Sequence, residues 1–289
     1  MQNQNKFHYK AMMFLSFAGP AVILFSAVVI VPFIFGLYLT FTGWDGISSS
    51  IPFVGFENYL SLFKDTSFWI SLGRTILYAV IAVILANVVA FALAYLVTSK
   101  IKGSNFFRAA FFTPNLIGGI VLGYIWQFVF KQAILVIGKA TGISLFSTSW
   151  LSDPFKAFWA LIIVTVWQLS GYLMLIYIAG LMGVSDDLKE AAKIDGCDEK
   201  KTTRYITLPM MAGTFTICFF LAITRAFVTY DVNISLTEGG PFGSTTLAAM
   251  YVYNMAFSSK KYGLGQAEAL ILFLVIAVIA VTQAFIGKS

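Results

Sequence analysis

The sequence predicts an all-helical membrane protein of six transmembrane spans, and three observations carry that prediction. Apolar residues make up 59% of the 289-residue chain and charged residues only 11%, whereas a soluble domain carries about 25% charged residues. Six apolar stretches, at 12–41, 72–97, 106–130, 155–182, 206–230 and 264–286, are long enough to cross a hydrocarbon core, which takes about 20 residues. None shows the roughly ten-residue alternation of barrel strands, so helices must satisfy the backbone groups that lipid cannot.

The first stretch, 12–41, is too long for a signal-peptide core and lacks a small-residue cleavage pattern, so it reads as an uncleaved helix behind a short tail at 1–11. A basic link at 99–105 joins the second and third spans. Larger connections at 42–71, 131–154 and 231–263, rich in Gly, Ser and Pro, fall on the opposite side of the membrane. With the N-terminus in the cytoplasm, eleven Lys and Arg residues lie inside: Lys6, Lys10, Lys100, Lys102, Arg108, Lys189, Lys193, Lys200, Lys201, Arg204 and Lys288. Seven lie outside: Lys64, Arg74, Lys131, Lys139, Lys156, Lys260 and Lys261. Positive charge retained inside sets that orientation. The same scatter of charge between spans argues against nucleic-acid binding despite a net charge of +6.

The connection at 183–205 is the one dense in both signs of charge. Ser185 or Asp186 can cap a helix that opens with acidic residues at its positive end. Leu188, Ala191, Ala192 and Asp195 recur at helical spacing and give a small, smooth face. Gly196 supplies the left-handed residue that ends the helix. A second arm from Cys197 to Tyr205 leads to Pro209, near the start of the fifth span, where proline is tolerated. The expected shape over 185–205 is a helix-turn-helix elbow against the membrane. Ordinary solvated charge holding two spans at depth would give the same composition, so the spacing has to decide.

Glu190-Ala191-Ala192, then Gly196, then Ile206, Leu208 and Pro209 resemble the signature loop of permease subunits of binding-protein-dependent ABC importers. The resemblance implies that the elbow is a coupling helix docking in a cleft of a cytoplasmic ATPase dimer, with Glu190 making a polar contact and Gly196 the turn. The coupling segment on this reading comprises Glu190, Ala191, Ala192, Asp195, Gly196, Lys200, Leu208 and Pro209. Where related permeases continue with Ala and aromatic residues, this chain has Cys197, Lys200 and Thr203. The stretch Leu236-Thr237-Glu238-Gly239-Gly240-Pro241, followed by Tyr251, Tyr253, Ala256, Phe257, Tyr262 and Gly263, is similar to permeases of the maltose and multiple-sugar branch. So is the outer segment from Pro52 to Tyr59. That branch implies an inner-membrane location in a bacterium, a second permease of different sequence, an extracytoplasmic binding protein and a sugar, expected to be an oligosaccharide. It also implies one permease domain over 12–289.

Substrate is expected among polar side chains at the membrane midplane, where they are costly and face a cavity. Trp167, Ser170, Gly171 and Met174 share one face of the fourth span with Gln168 and Tyr172 beside it; Thr214, Cys218, Ala222, Arg225 and Thr229 share a face of the fifth. From these the expected substrate path is Trp167, Gln168, Ser170, Gly171, Tyr172, Ala222, Arg225 and Thr229. Arg225 costs roughly 2.5 kcal/mol or more to insert. Two readings stay open for it: a ligand for substrate hydroxyls or carboxylate, and an ion-pair partner of Asp231 or of the second permease. Asn87 reads as an interhelical hydrogen bond.

The chain offers no catalytic constellation of its own. The tail Gly287-Lys288-Ser289 imitates a phosphate-binding loop but has Thr282 where that loop needs glycine. His8 is the single histidine, Cys197 and Cys218 are too few for a metal site, and no cofactor is expected. The expected role is therefore a non-catalytic transport subunit moved by a partner's ATP cycle. The competing readings are an ion-driven secondary transporter, which needs intramembrane carboxylates where the chain offers little beyond Glu268, an ABC importer for a non-sugar or an anionic sugar, and a membrane-anchored assembly or receptor protein.

Overall fold

The computed structural model describes residues 12–14, 16–99 and 103–287. The tail at 1–11 with His8, and Lys100, Lys102 and Lys288, lie outside that set. Among the described residues there is no strand, only a single antiparallel bridge between Thr42 and Phe53. The helices form two compact units: residues up to 65 with 252–270, and 66–251 with 271 onward.

In the first unit, α1 (Gly19–Leu39) is an apolar span of 21 residues, shorter than the stretch at 12–41 because Pro20 fits the first helical turn. The chain beyond it turns back on itself, with Gly43 N–H donating to Pro52 O and Val54 N–H to Phe41 O, each at 2.9 Å. A short helix, α2 (Glu57–Lys64), follows. Gly263 packs directly on the carbonyl of Thr42, where no side chain fits, and donates its N–H to Trp44 O at 3.0 Å. Glu268 is fully buried in this unit, and neither carboxylate oxygen has a hydrogen-bond partner among the described residues.

The second unit is built on α3 (Thr66–Thr98), α4 (Ser104–Leu116), α5 (Gly119–Thr141) and α6 (Pro154–Met182). It adds α7 (Asp186–Ile194), α8 (Glu199–Met210), α9 (Ala212–Phe227), α10 (Asp231–Leu236) and α11 (Ala248–Tyr253). The last helix, α12 (Tyr262–Ile286), begins in the first unit. The pair α3 and α6 forms the largest packed surface. A stripe of Ala79, Ala82, Ala86, Ala90 and Ala94 on α3 is buried, as are Ala157 and Ala160 on α6. Lipid gives helices no hydrophobic reason to associate, so small residues that allow close van der Waals approach take that role. Asn87 accepts from Tyr177 Oη of α6 at 2.7 Å, the interhelical bond expected of it.

Two further spans depart most from the expected limits. The third is α5, at 119–141 rather than 106–130. Pro114 lies in the last turn of α4, the residue after that helix, Ile117, is extended, and Gly118 is the cap from which α5 starts. Residues 131–141, expected in a loop, are helical because the apolar run from Ala133 to Ile137 continues the span through Lys131 and Lys139. The fifth span is broken: α8 and α9 meet at Met211 with a bend of 64°. Among the described residues five helices are long and apolar enough to cross a membrane alone, and the bent pair, taken as one span, makes a sixth.

Candidate functional site

Polar chemistry in the second unit gathers at two places, an elbow and a cavity among the spans. At the elbow, the Ser185 side chain accepts from Asp187 N–H at 3.2 Å. Asp186 and Asp187 occupy the first turn of α7, where the helix dipole favours negative charge. Lys189 Nζ lies 2.9 Å from Asp186 Oδ1. Gly196 has φ of +81°, and Cys197 N–H donates to Ala192 O at 2.9 Å, which closes the final turn. Asp198 then caps α8 by accepting from Lys201 N–H at 2.7 Å. Within α8 a π-helical turn covers Thr203–Thr207, a local widening that occurs often at functional positions.

Of the expected coupling residues, Glu190, Ala191, Asp195, Gly196, Lys200 and Pro209 are exposed, Leu208 is half-buried and Ala192 is buried. The small face is therefore divided. Ala192 packs inward, while Leu188, Ala191 and Asp195 look outward. Ile194, 86% exposed at the end of α7, joins that outward surface. Its place as the last apolar residue before the turn glycine was the signal that could have found it.

The cavity has a volume of about 360 Å³ and is lined by Asn115, Thr165, Gln168, Arg225, Thr229 and Asp231 with apolar neighbours. Gln168 Nε2 donates to Ile117 O at 3.2 Å, tying α6 to the break between α4 and α5. Arg225 stands with its Cζ 5.9 Å from the ring centre of Tyr172, a cation–π arrangement. Arg225 and Asp231 share the cavity without closing an ion pair within 4 Å. Behind the lining, buried Tyr78 donates to Thr165 Oγ1 at 2.6 Å and fixes that hydroxyl.

The other expected path residues lie elsewhere. Trp167 and Ser170 line a separate apolar pocket of about 340 Å³ with Leu85, Phe111 and Trp159. Trp167 also meets Trp126 edge to face at 5.4 Å. Gly171 is packed against the carbonyl of Phe111, and Ala222 is fully buried. Their small size serves helix contact, because the face of α6 turned to the cavity is that of Thr165, Gln168 and Leu169. The cavity lining adds Asn115 and Thr165, and Asp231, expected only as an ion-pair partner for Arg225. The signal was available for Asn115, a polar residue beside the helix-ending Pro114.

A multi-spanning helical subunit with a capped elbow between two spans and a polar cavity among its helices has the architecture of a transport permease. The chain belongs to the family of binding-protein-dependent transport system inner membrane components, whose model matches residues 86–289. It is 41% identical over 289 residues to the probable starch degradation products transport system permease protein AmyD of Thermoanaerobacterium thermosulfurigenes, covering 100% of this chain and 98% of that one. It is 34% identical over 258 residues to the multiple sugar-binding transport system permease protein MsmF of Streptococcus mutans, covering 89% of each. Its fold matches a chain of a bacterial ABC transporter involved in the import of the acidic polysaccharide alginate with a TM-score of 0.84, at 18% identity and over 99% of this chain and 98% of that one. The chain is thus a multi-pass inner-membrane permease subunit, and ATP hydrolysis belongs to a separate subunit of such transporters.

Proposed function

We propose that this permease carries an oligosaccharide, delivered by an extracytoplasmic binding protein, through the cavity formed by Asn115, Thr165, Gln168, Arg225 and Thr229. The observation that carries the reading is the convergence of amide, hydroxyl and guanidinium groups from three separate segments around one space between apolar spans. Amides and hydroxyls match the donors and acceptors of sugar hydroxyls, and polar groups at this depth are retained where they face a pathway. The names of the relatives, a starch-product permease and a multiple-sugar permease, point to the same cargo.

The elbow faces the cytoplasm on this reading, with the N-terminus on the same side. Glu190, Gly196 and the exposed Leu188 and Ile194 form the contact to one member of an ATPase pair, and a second permease completes the path. Closure of the ATPases draws the elbows together and turns the cavity from one side of the membrane to the other, a population shift between two states. The test is reconstitution with the binding protein, partner permease and ATPase, followed by a survey of solutes that stimulate ATP hydrolysis. Stimulation by an oligosaccharide is expected; stimulation by an amino acid and by no sugar would overturn the assignment.

A further inference from the structure

The helix α2 lies outside the spans and shows three chemically different faces. At about 100° per residue, Phe56, Leu60 and Phe63 fall on one side and are 69%, 61% and 63% exposed; Phe53, in the bridge before the helix, is 70% exposed. Glu57, Ser61 and Lys64 fall on the next side and are also exposed. Asn58, Tyr59 and Leu62 turn to the protein: Leu62 is fully buried, and Asn58 Nδ2 donates to Thr40 O and Thr42 O, each at 2.8 Å. Tyr59 Oη and Thr40 Oγ1 share a hydrogen bond of 2.7 Å.

Those bonds fix the depth of α2. Thr40 and Thr42 directly follow the C-terminal end of the apolar span α1, and the bridge between Thr42 and Phe53 holds Phe53 beside that end. A helix held at the end of a span, with one apolar, one charged and one packed face, meets lipid, water and protein at once. We propose that α2 is an interfacial anchor: Phe53, Phe56 and Leu60 enter the lipid at the membrane surface where α1 ends, while Glu57, Ser61 and Lys64 stay in water. The occupant is the headgroup and acyl boundary of the bilayer rather than a second protein, because the charged flank runs directly beside the apolar one and divides the exposed surface as an interface does.

The test places a nitroxide label singly at Phe53, Leu60, Glu57 and Ser61, with Cys197 and Cys218 replaced by serine, in the assembled transporter in liposomes. Relaxation by oxygen, which partitions into lipid, is compared with relaxation by a water-soluble nickel chelate. Labels at Phe53 and Leu60 should respond severalfold more to oxygen than to nickel, and labels at Glu57 and Ser61 the reverse. Strong nickel response at Leu60 and Phe53 would show an aqueous face and overturn the proposal. Weak response to both agents there would show a protein covering the helix and would overturn it equally. Because Leu60 and Ser61 are both exposed, these labels test the face without asking the core to repack.

Discussion

The elbow and the membrane cavity are made by opposite means. The elbow is local: a serine cap, two acidic residues, a left-handed glycine and an aspartate cap, all within 185–201, determine where α7 begins and ends and where α8 begins. The cavity is assembled from residues far apart in sequence, Asn115, Thr165, Gln168, Arg225 and Asp231, and exists because α4, α6 and α9 pack where small residues let them. A change in the elbow should therefore disturb transmission, and a change beside the cavity should disturb either assembly or substrate handling.

The largest expected effect is on assembly. In Gly171→Leu the added Cβ already meets the Phe111 carbonyl, and overpacking costs about 1–3 kcal/mol even where neighbours can move. The amount of permease recovered in the membrane should fall steeply, which immunoblotting of membrane fractions checks. Gly196→Val comes next. A β-branched residue at φ +81° costs roughly 1–2 kcal/mol, so the turn should reopen while the spans stay intact. Membrane levels near those of the parent, with loss of substrate-stimulated ATP hydrolysis, are the expected pair of results.

A smaller effect is expected of Asp198→Ala, which removes the acceptor for Lys201 N–H and about 1 kcal/mol of cap stabilisation. Hydrogen exchange at 199–202 should quicken while exchange at 186–194 changes little. The smallest belongs to Asp45, in the exposed loop after α1. Its carboxylate accepts from the N–H of Ser48 at 2.8 Å and of Ile47 at 2.9 Å, bonds that favour the ionised form and hold its pKa below the ordinary carboxylate value. A lowered pKa gives stabilisation that is present above the unfolded value, about 3.9, and is lost as pH falls through the folded one. Exchange protection of the Ile47 and Ser48 amides should accordingly persist to below that pH and then disappear.

The sequence showed the elbow almost completely, because every device in it acts within five residues of itself. Ser185, Gly196 and the fall of polarity after Tyr205 stand in plain order. Span number was legible too, since the requirement for about 20 apolar residues is a property of the chain. What sequence could not supply was depth and facing. Pro114 and Gly118 shift the third span by a turn or more, and the apolar run after Ala133 reads equally as span or loop until α5 is continuous. The bend at Met211 lies between Pro209 and Gly213, and Pro209 was expected only as a residue tolerated near the start of the fifth span. On α6, counting at helical spacing grouped Trp167 with Ser170 and Gly171, but which face meets the cavity is decided by where α4 and α9 lie. Gln168, Arg225 and Thr229 were legible for another reason: a polar residue within a span has few places to go.

The separation of transmission from passage is tested most directly by the number of sugar molecules transported per ATP hydrolysed in proteoliposomes, compared between Glu190→Ala and Arg225→Gln. Glu190→Ala should lower that ratio, because hydrolysis continues while the elbow no longer moves the permease. Arg225→Gln should lower transport and substrate-stimulated hydrolysis together by about tenfold, near 1.4 kcal/mol, and leave the ratio unchanged. A ratio preserved in Glu190→Ala and lost in Arg225→Gln would contradict the account.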